Sequence, residues 1–181
     1  MRIIRGFLKG KRFATPSNFP SRPTTDFAKE GLFNMLEHAL NWHDVKALDL
    51  CAGTGNISFE LVSRGVTSML SIDANQRCVQ YLKHNITQLG IEQYMHAYKS
   101  DCVVYCRNAK EKFDFIFADP PFHLTFHEEL ITTIFGNQLL NENGLFVIEH
   151  GKHTKLDHLQ GFEKTRNFGN VYFSFFVQSS L

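Results

Sequence analysis

The sequence predicts an α/β fold: a mostly parallel sheet of seven strands with helices on both faces, closed by an antiparallel hairpin. Two observations carry this. From Lys46 onward, short apolar runs of strand length alternate with longer amphipathic runs of helical length, the pattern of parallel strands joined by helices. Near the C-terminus the alternation stops, and "RNFGNVYFSFFVQ" folds back around Gly169-Asn170 into alternating Val171, Phe173 and Phe175. The composition agrees. A chain of 181 residues, 43% hydrophobic and 20% charged, with 18 phenylalanines and no repeat or linker, fits one domain spanning 1–181 with a well-filled core.

The elements follow in order. "RIIRGFLKGKRFATP" alternates enough for a short β-hairpin around Gly10, ended by Pro16. "SRPTTDFAKEGLFNMLEHAL" reads as a helix capped by Thr24 or Thr25, with Phe27, Leu32, Phe33, Leu36 and Leu40 as its stripe. The α/β core, 46–181, begins with the strand "VKALDL". Next come a helix "NISFELVSRG" closed by Gly65, the strand "SMLSID", and a helix "NQRCVQYLKHNITQLG" closed by Gly90. A weaker strand "MHAYKSD" and a strong one "KFDFIFAD" lead to a helix "FHEELITTIFGNQLL" and the strand "GLFVIEH".

The net charge is +1, but its distribution is uneven. Residues 1–25 hold Arg2, Arg5, Lys9, Lys11, Arg12 and Arg22 and no acid, while the remaining chain holds 13 basic and 18 acidic residues. A basic arm on a slightly acidic body points to a polyanionic partner, because phosphate backbones reward local positive charge. No apolar run approaches the roughly 20 residues that span a bilayer, and the N-terminal apolar stretch is too short for a signal peptide. The expectation is a cytoplasmic protein with no membrane partner. The four cysteines, at 51, 78, 102 and 106, form no C-x-x-C pair and are expected reduced. His123 and His127 are four apart, but no further residues complete a metal site.

Two stretches carry chemistry. In "ALDLCAGTGN" a strand ends at Leu50 and a helix starts after Gly55, so Gly53 and Gly55 turn the backbone at the carboxyl edge of the sheet, where open α/β folds bind ligands. Asp73, ending the next strand, can accept both hydroxyls of an adenosine ribose. The third glycine of a dinucleotide turn is replaced by Ser58, and Asp49 would sit badly beside a pyrophosphate. Asp49 suits a cofactor bearing a positive amine, as S-adenosyl-L-methionine does. Asp101, after the third strand, can reach the adenine amine or cap a helix.

The second stretch is "FDFIFADPPF". Pro120 and Pro121 lack N–H groups, stop the strand and leave fixed carbonyl acceptors. Asp119 adds a carboxylate and Phe122 a flat face. Acceptors beside a stacking surface suit a planar ring with an exocyclic NH2, such as a nucleobase turned out of its helix or presented in a loop.

"DLCAGTGN", "SID" and "FADPPF" resemble the motifs of class I S-adenosylmethionine-dependent methyltransferases that modify exocyclic amines. The N-terminal "MRIIRGFLKGKRF" followed by "SRPTTDFAKEGLFNML" resembles the bacterial RsmD family, which methylates the N2 amine of a guanine in small-subunit (16S) ribosomal RNA. Departures from that family's pattern fall at Cys51 and Asn56. The resemblance implies a single Rossmann-like methyltransferase domain, expected monomeric, with ribosomal RNA or a small-subunit assembly particle as partner. It implies a cofactor shell of Asp49, Cys51, Ala52, Gly53, Gly55, Asp73, Ala74, Asp101 and Cys102, and catalysis by Asp119, Pro120, Pro121 and Phe122. Arg2, Arg5, Lys9, Lys11, Arg12 and Arg22 would grip RNA. Two other readings compete: an adenine-N6 methyltransferase acting on DNA or RNA with the same four residues, and a catalytically silent RNA-binding assembly module of the same fold.

Overall fold

The computed structural model describes residues 1–16, 18–20, 25–37, 39–121 and 126–178. Two expected site residues, Arg22 and Phe122, lie outside the described residues. The elements run α1 (Asp26–Leu36), a 3-10 turn (Trp42–Asp44), β1 (Lys46–Leu50), α2 (Asn56–Ser63), β2 (Ser68–Asp73), α3 (Gln76–Leu89) and β3 (Met95–Lys99). They continue with α4 (Cys102–Asn108), β4 (Phe113–Ala118), α5 (His127–Gly136), β5 (Leu140–His150), β6 (Phe162–Phe168) and β7 (Val171–Val177). The seven strands form one sheet in the order β3-β2-β1-β4-β5-β7-β6. β1 to β5 are parallel, while β7 is antiparallel to both β5 and β6.

Strand alternation divides the buried side chains between two faces. Ala47, Phe115, Phe117, Val147 and Phe173 join the apolar residues of α1, α2 and α3 in one core. Leu48, Leu50, Ile116, Ala118, Ile148 and Phe176 join α4 and α5 in the other. The strand order reverses direction between β1 and β4, so the crevice above their carboxyl ends is the topological switch point where such sheets bind ligands. None of the described helices is long and apolar enough to cross a membrane.

Several element boundaries differ from expectation. The segment after Asp101 forms α4, which is seven residues long and therefore too short to show a full helical stripe. The helix expected to run to Leu140 stops at Gly136, because Gln138 adopts φ 52 and turns the chain so that Leu139 and Leu140, the first residue of β5, enter the second core. α1 is capped by Thr25, whose hydroxyl accepts from the Ala28 amide at 3.2 Å. Its buried stripe includes Ala28 and Lys29, and Phe27 is 65% exposed, with its ring edge-on to Phe168. Phe27 lies off the buried face, which runs through Ala28, Lys29, Leu32, Phe33 and Leu36.

The N-terminal segment doubles back as expected, but a single antiparallel bridge, Arg2 to Arg12, takes the place of a regular hairpin. The reason is what the segment packs against. Ile3 and Leu8 are buried in the first core. The amides of Ile4 and Arg5 donate to the two oxygens of Glu60 at 2.8 and 3.0 Å, and the Phe7 amide donates to the Ser63 carbonyl at 2.9 Å. At Gly6, with φ +82, a Cβ would sit 1.6 Å from that same Ser63 oxygen, so only glycine lets the loop lie against α2.

Beneath this loop, Lys29 and Glu60 form an ion pair at 3.3 Å with both side chains fully buried. Lys29 also donates to the Arg2 carbonyl at 2.6 Å and to Asn56 Oδ1 at 2.9 Å. Glu60 is further bound by Arg64 at 2.9 Å, and Arg64 reaches Glu37 at 2.8 Å while lying over the Phe33 ring. Each buried charge thus has partners, which is what makes its withdrawal from water tolerable. The asparagine that departs from the family pattern accepts from Lys29 and ties the first residue of α2 to α1.

Candidate active site at the carboxyl edge of β1 and β4

The loop after β1 is built by two short hydrogen bonds. The Ala52 amide donates to the Ile72 carbonyl at 3.0 Å, and the Gly55 amide donates to the Ala52 carbonyl at 2.7 Å. Cys51, Gly53 and Gly55 adopt φ 64, 55 and 74, so the chain passes through the left-handed region three times in five residues. Gly55 is required for a reason the sequence did not show: a Cβ there would meet Leu82 of α3 at 2.4 Å and Phe59 at 2.8 Å. Its missing side chain lets α2 and α3 approach each other.

Four acids converge on this loop. Asp73 is clamped: its Oδ2 accepts from the Gly53 amide at 2.8 Å and its Oδ1 from the Asn75 amide at 2.7 Å. Each oxygen keeps a second acceptor site for a ribose hydroxyl. Asp101 caps α4, its Oδ1 accepting from the Val104 amide at 2.9 Å. Asp49 is 1% exposed and accepts from the Ser58 hydroxyl, which in turn accepts from Ser71 at 2.8 Å. Burial, with the nearby charges of Asp119 and Asp73, pushes the Asp49 carboxyl up to about 7 despite the Ser58 hydrogen bond. Asp119 is held by its amide, which donates to the Leu50 carbonyl at 3.2 Å and extends the β4 ladder by one residue. Burial pushes its carboxyl up to about 7 as well.

The structure brings Asp49, Cys51, Ala52, Gly53, Gly55, Asp73, Ala74, Asp101, Cys102 and Asp119 to one sheet edge, followed directly by Pro120 (buried) and Pro121 (exposed). Sequence reasoning missed Ser58 as a partner of Asp49. The available signal was a hydroxyl standing where a third glycine belongs, nine residues after the acid on the far side of the glycine turn. It also missed that Cys102 is the neighbour of Cys51, and this proximity, with burial, holds the Cys51 thiol protonated, well above the usual thiol range.

The chemistry of the donor set fits a cation. Among the described residues, no lysine or arginine forms an ion pair with Asp49, Asp73 or Asp119. A ligand carrying both an ammonium and a sulfonium would complete the charge balance that the protein leaves open.

The basic residues are less free than their sequence implied. Arg2 lies 3.3 Å from Asp26 and 3.5 Å from Glu30, and Arg5 lies 2.6 Å from Glu37. These pairs are solvent-exposed and worth about 0–1 kcal/mol each, so a phosphate can compete for them. Lys9, Lys11 and Arg12 are exposed and make no ion pair with a described residue.

A glycine turn after β1, acids ending the next two strands and an Asp-Pro-Pro step ending the fourth, set at the switch point of this sheet, define the architecture of class I methyltransferases that modify amines. The solved structure of yhhF from Escherichia coli shares the fold, with a TM-score of 0.86 and 24% identity over 100% of this chain and 99% of that one. YlbH of Bacillus subtilis (strain 168) is 32% identical over 164 residues, covering 89% of this chain and 88% of YlbH. Ribosomal RNA small subunit methyltransferase D of Escherichia coli (strain K12) is 29% identical over 149 residues, covering 82% of this chain and 74% of that protein. The profile of the family described as Conserved hypothetical protein 95 matches residues 1–177. The chain belongs to that family, the RsmD family of S-adenosylmethionine-dependent methyltransferases.

Proposed function

We propose that this protein methylates the exocyclic N2 amine of a guanine in small-subunit ribosomal RNA, using S-adenosyl-L-methionine. The observation that carries the reading is the acceptor step at Asp119, Pro120 and Pro121, set beside an acid-lined glycine turn at the sheet's switch point. S-adenosyl-L-methionine, when bound, supplies an electrophilic methyl group on a sulfonium. Asp49 faces its amino group, Gly53 and Gly55 line its methionine and ribose portions, Asp73 holds the ribose hydroxyls, and Asp101 or the Cys102 amide meets the adenine. Ionised Asp119 and the Pro120 carbonyl accept the two N2 hydrogens of guanine and aim the nitrogen lone pair at the methyl. Phe122 supplies the stacking face. Catalysis here is placement and electrostatics, with no covalent intermediate on the protein.

The test is transfer from labelled cofactor to small-subunit particles that lack the modification, followed by digestion to nucleosides. Label in N2-methylguanosine is the expected result. Label in N6-methyladenosine would replace guanine with adenine as the acceptor. No transfer and no cofactor binding would favour a silent assembly module.

Asp119 works only when ionised, and burial sets its carboxyl near 7. The rate constant kcat/KM is therefore expected to rise across an acid limb with an apparent midpoint near pH 7, belonging jointly to Asp119 and Asp49. In the cofactor-free protein the sign is opposite: both carboxyls favour the protonated form, so their contribution to stability is full below about pH 4 and fades as pH rises through about 7. A cationic cofactor reverses this, and its binding at pH 6.5 should release protons, measurable by calorimetry in buffers of different ionisation enthalpy.

The exposed cations of the N-terminal loop contribute phosphate contacts. Replacing Lys9, Lys11 and Arg12 by glutamine should lower RNA affinity and reduce the slope of log K against log salt by about 2 to 3. An unchanged slope would remove this loop from the RNA interface.

A further inference from the structure

One more acid reaches the edge that holds Asp119. β4 and β5 are parallel with Ala118 opposite Ile148, so one residue further the register sets Glu149 beside Asp119. Phe117 and Val147 belong to the core beneath α1, α2 and α3, whereas Ala118 and Ile148 belong to the opposite core. By alternation, Asp119 and Glu149 leave their strands on the same face, the face that also carries Asp49. On its other side Glu149 pairs with Phe173, which is fully buried. Glu149 itself is only 4% exposed.

A carboxylate withdrawn from water costs several kcal/mol unless it is matched by donors. Glu149 has an interaction within the protein, but a carboxylate offers about four acceptor sites, enough to serve a ligand as well. The nearest ligand position is the acceptor pocket of the proposed reaction. Guanine presents N1–H directly next to its N2 amine, two adjacent donors on one edge. Adenine presents an unprotonated N1 next to its amine, and a carboxylate there would face a lone pair. An acid one strand from Asp119 therefore matches guanine and rejects adenine.

We infer that Glu149 is a specificity-determining residue: its carboxylate accepts the N1–H of the guanine whose N2 amine is held by Asp119 and the Pro120 carbonyl. This rests on the guanine-N2 reading above and gives it a physical basis, since Asp-Pro-Pro alone serves either purine. Sites built to hydrogen-bond a donor reject analogues lacking it strongly, because the buried acceptor is left unpaired.

The experiment compares wild type with Glu149→Gln on small-subunit particles lacking the modification, with nucleoside analysis of the product and calorimetric binding of S-adenosyl-L-methionine. Once the position is mapped, both proteins are also given particles reconstituted with 2-aminopurine there, a base that keeps the amine but lacks N1–H. Expected is a loss in kcat/KM of about 100-fold or more for Glu149→Gln on guanine, with cofactor affinity within about threefold of wild type. On 2-aminopurine the order should narrow or invert, because the glutamine amide can donate to the bare N1. Two outcomes overturn the inference: a variant within about threefold of wild type on guanine, or equal losses on both bases, which a merely structural role would give. Should the variant not fold, wild type alone decides, since equal rates on guanine and 2-aminopurine exclude an N1–H contact. Wild-type label in a nucleoside other than N2-methylguanosine would instead mark failure of the guanine reading itself, and the role of Glu149 would fall with it.

Discussion

Replacing Asp119 by alanine is expected to lower turnover on the order of 10²–10³-fold, the usual cost of removing one preorganised polar contact from a reacting group, while cofactor affinity stays within about threefold. The split follows from position. In the proposed mechanism the cofactor is met mainly by the loop after β1 and the ends of β2 and β3, where Asp73 is clamped by the Gly53 and Asn75 amides. Asp119 ends β4, across the switch-point crevice, with its amide on the Leu50 carbonyl. Removing its carboxylate leaves that loop intact and deprives the acceptor amine of a partner. Asp119→Asn tests the charge separately: its carbonyl still accepts one N2 hydrogen, and the acid limb of the pH profile should flatten. Equal losses in turnover and cofactor affinity for Asp119→Ala would contradict this division of labour.

Glu60→Ala is expected to be the most destabilising single change outside the apolar core. It strands Lys29, which is fully buried, without its carboxylate, and removes the acceptor from the Ile4 and Arg5 amides. Breaking a buried pair by deleting one partner costs about 3–5 kcal/mol, and for a chain of this size each kcal/mol lowers Tm by roughly 2–4 °C. Thermal unfolding should therefore shift down by roughly 6–20 °C. A second variant gives this content: Lys29→Met combined with Glu60→Leu removes both charges. In a simple buried pair such a swap is often neutral. Here it should recover only part of the loss, because the two amides and Arg64 still lack Glu60. Full recovery would mean that the hydrogen bonds to Glu60 contribute nothing to holding the N-terminal loop. The same variant should weaken RNA binding more than cofactor binding, since the loop bearing Lys9, Lys11 and Arg12 is what Glu60 fastens.

Much of this was legible in the order of residues. The alternation of strand and helix lengths, the glycines punctuating helix ends at Gly65 and Gly90 and the hairpin at Gly169-Asn170 are local matters of period and backbone freedom, and they reappear in the structure where expected. So do the acids at strand ends, because a parallel sheet delivers every strand terminus to one edge whatever the details of packing. What failed locally did so for tertiary reasons. Phe27 looked like part of an apolar stripe, but the buried face of α1 runs through Ala28, Leu32 and Leu36 and leaves it outside. Leu139 and Leu140 continued a helical pattern, but Gln138 turned them into the second core. The basic N-terminal segment read as a short hairpin whose cations face a polyanion, yet Ile3 and Leu8 are buried and Arg2 and Arg5 lean on acids of α1 and the residue that follows it.

The sequence by itself determined the layer architecture, the glycine turn after β1 and the Asp-Pro-Pro step after β4, because each depends on periodicity or on residues adjacent in the chain. Only the tertiary structure decided which distant side chains meet. It set Ser58 and Ser71 behind Asp49, joined Lys29 to Glu60 and Asn56, required a bare Gly55 against Leu82, and brought Glu149 alongside Asp119. Those pairings depend on how separate elements pack, and most of the partners lie tens of residues apart in sequence, beyond the reach of any local pattern.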